Sequence, residues 1–135
     1  MVFIEDTCQV YVDERGQLTQ FVTEEYLTKH NLPFGQVYLL TFNAAGVVRG
    51  NHYHKESTEV FCLIQGEVEM IFEDVITKER KHLVVNALTR ATRRILIGPH
   101  VAHTIVSKSG SAVLASYSSV VYNEINPDVY SYTLI

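Results

Sequence analysis

Turn residues cut this chain into short runs rich in Val, Ile, Phe, Tyr and Thr, and that punctuation constrains the fold more than any other feature. β-Branched and aromatic side chains pack well on a pleated surface, and runs this short are strand-sized. VYVDERGQLTQF (10–21) reads as strand, turn, strand, with Glu14, Arg15 and Gly16 at the bend. GQVYLLTFN (35–43) is a further strand, and EVFCLIQGEVEMIFED (59–74) reads as a hairpin turning at Gln65 and Gly66. In its second half Val68, Met70 and Phe72 alternate with Glu67 and Glu69, the period-two pattern of a half-buried strand. Residues 77–82 form a polar tip, and HLVVNAL, RRILIG, HTIVSK and SAVLASYSSVVY supply four more strand-like runs. TEEYLTKHN (23–31) differs: Thr23 can cap a helix, Glu24 and Glu25 suit its first turn, and Asn31-Leu32-Pro33 stops it. About ten short strands in one small unit point to a closed or double-sheet architecture. The expectation is an all-β barrel or jelly roll, residues 1–135 forming a single domain with one short helix.

Composition narrows the function classes. Apolar residues make up 47% and charged residues 19%, which suits a globular chain, and a net charge of −4 gives no reason to expect nucleic-acid binding. No apolar run approaches the roughly 18 residues of a membrane span. The opening MVFIEDTCQV lacks the basic and apolar regions of a signal peptide, so a cytoplasmic protein is expected. Cys8 and Cys62 do not make a disulfide framework, and Cys62, inside an apolar run, packs as a small hydrophobe.

The chemistry concentrates in GVVRGNHYHKESTEVFCLIQG (46–66). On a strand, His52 and His54 project to one face while Tyr53 points away. Glu59 follows a short turn and can fold back beside them, and His103, after Gly98-Pro99, can complete the set. Three imidazoles and a carboxylate suit a divalent metal such as Zn, Fe, Ni or Mn, bound by His52, His54, Glu59 and His103. The same groups can also work without metal, a histidine serving as proton-transfer base near neutral pH. His30 and His82 lie in polar surroundings and read as surface residues, His100 as a rim residue, and Arg90, Arg93 and Arg94 as a solvated basic cluster.

The spacing Gly46-x5-His52-x-His54-x4-Glu59-x6-Gly66 resembles the first cupin motif at every fixed position, and His103 stands where the second motif carries its histidine. DERGQL, RGNHYHK, GPHVAH and VLAS resemble the nucleotide-sugar 3,4-ketoisomerases. Asp-x-Arg-Gly and Arg-Gly-x-His are similar to the dTDP-4-keto-rhamnose 3,5-epimerases. The four-residue gap before Glu59 and the tail NPDVY (126–130) look more like the zinc-binding C-terminal cupin of capsular-polysaccharide reductase–epimerases.

These resemblances imply a cupin jelly roll acting on a nucleotide-linked 4-keto-6-deoxyhexose for cell-surface polysaccharide synthesis. His52 is then the catalytic base, His54 a proton shuttle between O3 and O4, and Tyr38 and Tyr122 active-site tyrosines. Arg49, Lys55 and His103 are implied to meet the substrate, and Arg15 its diphosphate, often across a homodimer interface. The leading expectation is 3,4-ketoisomerisation, which needs no cofactor, followed by C3 (or 3,5-) epimerisation with bound zinc. A metal-dependent dioxygenase or a non-catalytic sugar-binding cupin are readings from other classes.

Overall fold

The computed structural model describes residues 1–88 and 92–135, so Arg90 lies outside the described residues. In chain order the strands begin with β1 (Phe3–Thr7), β2 (Gln9–Asp13) and β3 (Gly16–Gln20), followed by helix α1 (Glu24–Lys29). Next come β4 (Gln36–Phe42), β5 (Val48–Tyr53), β6 (Glu59–Gln65), β7 (Glu67–Asp74) and β8 (Arg80–Asn86). The last are β9 (Arg93–Ile97), β10 (Val101–Ser107), β11 (Ala112–Ser118) and β12 (Tyr130–Ser131).

Two antiparallel sheets make the body, one ordered β1-β9-β6-β11-β4 and the other β12-β5-β10-β7-β8. Their inward faces supply a shared core that includes Phe42, Phe61, Leu63, Met70, Phe72, Ile95 and Ile105. This is the jelly-roll arrangement expected. The period-two reading of β7 holds as well: Val68, Met70 and Phe72 are completely buried while Glu67 and Glu69 keep partial exposure.

The helix forms where its end signals place it, one residue shorter at the start and two at the end than the run quoted. The Thr23 hydroxyl accepts from the Tyr26 amide at 3.1 Å, which satisfies one of the free N–H groups of the first turn. Tyr26 packs with Val60, Leu96 and Tyr117, so the helix covers the outer face of the first sheet. Arg94 belongs to this cluster and is no solvated cation. Its guanidinium pairs with Asp6 at 2.9 and 3.0 Å and lies 3.7 Å from the centre of the Tyr26 ring. Cys8 and Cys62 are both free and buried.

The expected β6–β7 hairpin is a correction. β6 pairs with β11 and β9, whereas β7 pairs with β10 and β8, so the chain crosses from one sheet to the other at Gly66. One residue between the strands is too short for a two-residue hairpin loop. Gly66 takes a left-handed φ of +88°, and a side chain there would strike the Ser111 carbonyl. The polar tip is shorter than residues 77–82, because β8 already begins at Arg80, and the last long run is strand only to Ser118. β12, at the edge of the second sheet, was not foreseen.

Candidate active site

At one end of the barrel the two sheets part around a cavity of about 760 Å³. Its histidines reach it through a β-bulge. His52 stands opposite His103 in the β5–β10 pair, but the next pairing is Gly50 with Thr104, so Asn51 is an extra residue. Gly50 and Asn51 take φ values of +101° and +58°, and a Cβ on Gly50 would sit 2.5 Å from the His103 carbonyl. The bulge resets the alternation, so that Arg49, His52 and His54 all line the cavity. Tyr53 points away, as expected, and stacks on Tyr130 with centroids 5.4 Å apart. The bulged Asn51 accepts from Thr104 Oγ1 at 2.7 Å and from the Leu134 amide at 2.9 Å, tying the chain's last residues to β5.

The structure brings His52, His54, Glu59 and His103 together. The His52 ring is 4.6 Å from His103 and 5.1 Å from His54, centre to centre. Glu59 begins β6 and is only 5% exposed. Its Oε1 lies 2.6 Å from His54 Nε2 and its Oε2 3.7 Å from His103 Nε2. On the other side of the His54 ring, Nδ1 is 2.6 Å from the Asp128 carbonyl. A carbonyl only accepts, so Nδ1 carries a proton, while Nε2 meets Glu59 as a close ion-pair contact without hydrogen-bond alignment.

The charges follow from these neighbours. Burial disfavours the His54 imidazolium, but Glu59 and the Asp128 carbonyl outweigh it and raise its pKa. Burial likewise disfavours ionised Glu59, yet His54, with help from His103 and His52, holds it below the usual carboxylate range. His54 and Glu59 thus form a buried pair in which each favours the other's charged form. His52 goes the other way: burial, then the neighbouring His103 and His54, pull it down to about 4. His103 is lowered by burial, against the pull of Glu59. Tyr38 lines the cavity from β4 and is kept protonated by burial and by the Glu59 charge.

The remaining expected residues divide. Arg49 lines the cavity while its Nε donates to the Thr41 carbonyl at 3.0 Å. Tyr122 lines the mouth and is 58% exposed. Lys55 is not a lining residue; its ammonium sits 4.2 Å from the centre of the Tyr130 ring. Arg15 is also outside the cavity, paired with Asp13 at 2.6 Å in the exposed β2–β3 turn. His100 is a turn residue with φ +66° and does not line the cavity; its ring lies 6.3 Å from that of the outward-pointing Tyr53. Sequence reasoning missed the part played by Asp128 and the buried hydroxyl pair of Ser57 and Ser118, 2.7 Å apart on the cavity wall.

The donor set fits a divalent metal. One ligand atom from each of His52, His54 and His103 falls within 4.8 Å of the others, close to the roughly 4.2 Å limit for two nitrogens bound to one zinc. The Nδ1 bond from His54 to a backbone carbonyl is also the outer contact that ligating histidines usually make.

The sequence model of the family described as "polysaccharide biosynthesis C-terminal domain" matches residues 11–130. The chain belongs to this family. No curated protein matches the chain significantly. Among solved structures it resembles the 3,4-ketoisomerase QdtA of Thermoanaerobacterium thermosaccharolyticum, solved as a double mutant with TDP. The TM-score is 0.77 and the identity 24%, over 95% of this chain and 86% of that one. A 3,4-ketoisomerase of Helicobacter canadensis matches at TM-score 0.78 and 22% identity, over 96% and 90%. The dTDP-6-deoxy-D-glucose-3,5-epimerase of Legionella pneumophila, in complex with dTDP-4-keto-L-rhamnose, matches at 0.83 and 18%, over 98% and 73%. The chain spans 66% of the length of NovW, a 4-keto-6-deoxy sugar epimerase of Streptomyces spheroides. The chain shares the overall fold of these proteins. Among the described residues no helix is long and apolar enough to cross a membrane.

Proposed function

We propose that this family member is a nucleotide-sugar isomerase that moves the proton beside the ketone of a 4-keto-6-deoxyhexose, with 3,4-ketoisomerisation as the net reaction. The observation that carries this reading is a neutral, half-buried His52 facing the cavity beside the charged His54–Glu59 pair. A ketone at C4 acidifies the C3 proton because the resulting electron pair delocalises onto O4. His52 takes that proton as the C3–H bond breaks, a contribution of about two to four orders of magnitude in rate. His54, protonated on both nitrogens, gives its Nε2 proton to O4 and regains one from O3 as the carbonyl forms at C3. His52 then returns its proton to C4, so atoms and charge balance. One well-placed donor toward the oxyanion is worth about 3–4 kcal/mol. Tyr38 and Arg49 are in position to share that role.

C3 epimerisation with a bound divalent ion is the second reading, favoured by the clustered ligand atoms of His52, His54 and His103. An ion held there, with Glu59 beside it, would supply Lewis-acid polarisation of a carbonyl.

Proton NMR with dTDP-4-keto-6-deoxyglucose in D₂O separates the two, run with chelator, with zinc, and with His52→Ala. A 3-keto product formed in the presence of chelator and lost in His52→Ala supports ketoisomerisation. Zinc-dependent deuterium wash-in at C3 with inverted configuration supports the epimerase. Absence of exchange under every condition would count against both.

A homodimer is part of this proposal. The β2–β3 hairpin pairs with neither large sheet and leaves Tyr11, Val12 and Leu18 more than half exposed, as are Val37 and Leu39 on edge strand β4. Isolated two-stranded hairpins are marginal in water. Among the described lining residues Arg49 is the only Arg or Lys, while a substrate diphosphate is doubly charged. Arg15, at the hairpin tip, is the cation a second copy would bring. Light scattering should give twice the chain mass, falling to one in Val12→Asp; a monomeric wild type would end this part of the proposal.

A further inference from the structure

Residues 119–135 leave the barrel, cross the cavity mouth and return along β5 as β12. Within this strap one residue makes an unusual set of contacts. The Asp128 carboxylate accepts from three consecutive amides, those of Lys55 and Glu56 at 2.9 Å each and Ser57 at 3.1 Å. These amides form the turn between β5 and β6, the segment that joins His54 to Glu59. The backbone carbonyl of the same residue is the partner of His54 Nδ1 at 2.6 Å. Anchoring the carboxylate in the turn therefore holds the carbonyl against the imidazole.

We propose that Asp128 is the positioning residue for His54: its carboxylate fixes the strap so that its carbonyl keeps Nδ1 protonated and Nε2 presented to Glu59 and the cavity. Without that carbonyl the ring is free to rotate or to carry its proton on either nitrogen, and only one of those states aims a proton at O4. The arrangement serves equally if Nε2 ligates a metal, because ligating histidines need the same outer partner. The strap's other anchors hold backbone or non-catalytic side chains. β12 pairs Tyr130 with Tyr53 and Ser131 with His52 through the main chain, Ser119 bonds the Thr58 backbone, Asn51 holds Leu134, and Tyr132 bonds Glu73. Among the described residues of the strap, Asp128 is the one hydrogen-bonded to the side chain of His54.

The effect on turnover rests on the isomerase reading, whereas the effect on His54 does not. The test is long-range ¹H–¹⁵N correlation of the histidine rings in the full chain, beside turnover and thermal melting. Wild type should show His54 with a protonated, hydrogen-bonded Nδ1. Asp128→Ala should lose that signal and about 10–100-fold in turnover, with KM changed far less. Asp128→Asn, which keeps one acceptor oxygen in place, should fall between. An unchanged His54 signal in a folded Asp128→Ala protein overturns the proposal. Should that variant fail to fold, a wild-type His54 lacking the Nδ1 proton overturns it equally. A His54 change in a chain that proves inactive on nucleotide sugars would sink the functional reading and leave this inference standing.

Discussion

The two ends of the barrel are built from the same strands and do opposite things. β6 places Glu59 at the cavity and Leu63 in the core; β10 places His103 at the cavity and Val101 in the core, and β11 does the same with Ser118 and Leu114. All six side chains belong to buried residues, so burial does not distinguish the ends. Chemistry does. Outside the cavity lining Val68, Met70 and Phe72 are completely buried among other apolar groups, and removing that surface from water stabilises the fold. At the open end burial opposes ionisation of His54 and Glu59, and their mutual contact, helped by the Asp128 carbonyl and the neighbouring histidines, offsets it. A barrel wanting stability alone would fill both ends with apolar side chains. The polar end is kept for reactivity, and the two should respond separately to mutation.

The largest effect should come from the apolar core. Phe72→Ala removes a fully buried ring that packs edge-on against Phe3 at 5.0 Å, and should lower unfolding free energy by about 3–5 kcal/mol. Urea titration measures this; because Phe72 pairs across the strands with His103, turnover per folded molecule should fall as well, but by less than in a variant of the polar cluster itself. A loss of stability below about 1 kcal/mol would erase the contrast between the ends. Glu59→Gln should invert the pattern. It keeps the shape but removes the charge that holds His54 protonated. His54 can then become neutral, so stability should fall by less than the roughly 3–5 kcal/mol of a stranded buried charge. Turnover should drop at least about tenfold. A melting loss as large as that of Phe72→Ala, with activity retained, would make Glu59 a structural residue.

The contrast also explains what could be read from the sequence. The strand runs, the capped helix and the inward histidines follow from local rules, periods of two and 3.6 and cap chemistry, which act within a few residues. Pairing is not local. Nothing in Gln65-Gly66-Glu67 says that β6 and β7 belong to different sheets, because alternation reports which face is buried and not which strand lies alongside. Arg94 looked solvated because Asp6, 88 positions away, cannot be seen as its partner. Lys55 follows the histidine pair in sequence, yet the turn after β5 sends it over Tyr130 instead of into the cavity. Asp128 was visible as part of NPDVY, but its partners lie more than 70 positions away. The bulge at Asn51 left the expected histidine geometry intact only because it falls before His52.

The smallest predicted effect is the pH dependence of stability, and it isolates the polar end. His52 is lowered to about 4 in the folded chain from an ordinary 6.5. Between those values the unfolded chain binds the proton and the folded chain does not, so acidification favours unfolding across that window. His103 has the same sign. His54 is raised, so its contribution is fully present below 6.5 and is lost as pH climbs through its folded value. Glu59 is depressed, and its contribution, present above 4.5, is lost only as pH falls through its lower folded value. The polar end should therefore favour the folded state most near pH 6.5 and less on either side. Because His52 is partly exposed, solvent screening makes its share of the slope modest. Melting of chelator-treated protein from pH 4.5 to 8 should show a falling midpoint below 6.5, flattened in His52→Asn. Phe72→Ala should melt lower at every pH with the wild-type slope, since no titrating group has been removed. A wild-type slope in His52→Asn would place the titration elsewhere, and His52 would lose its standing as the neutral base of the cavity.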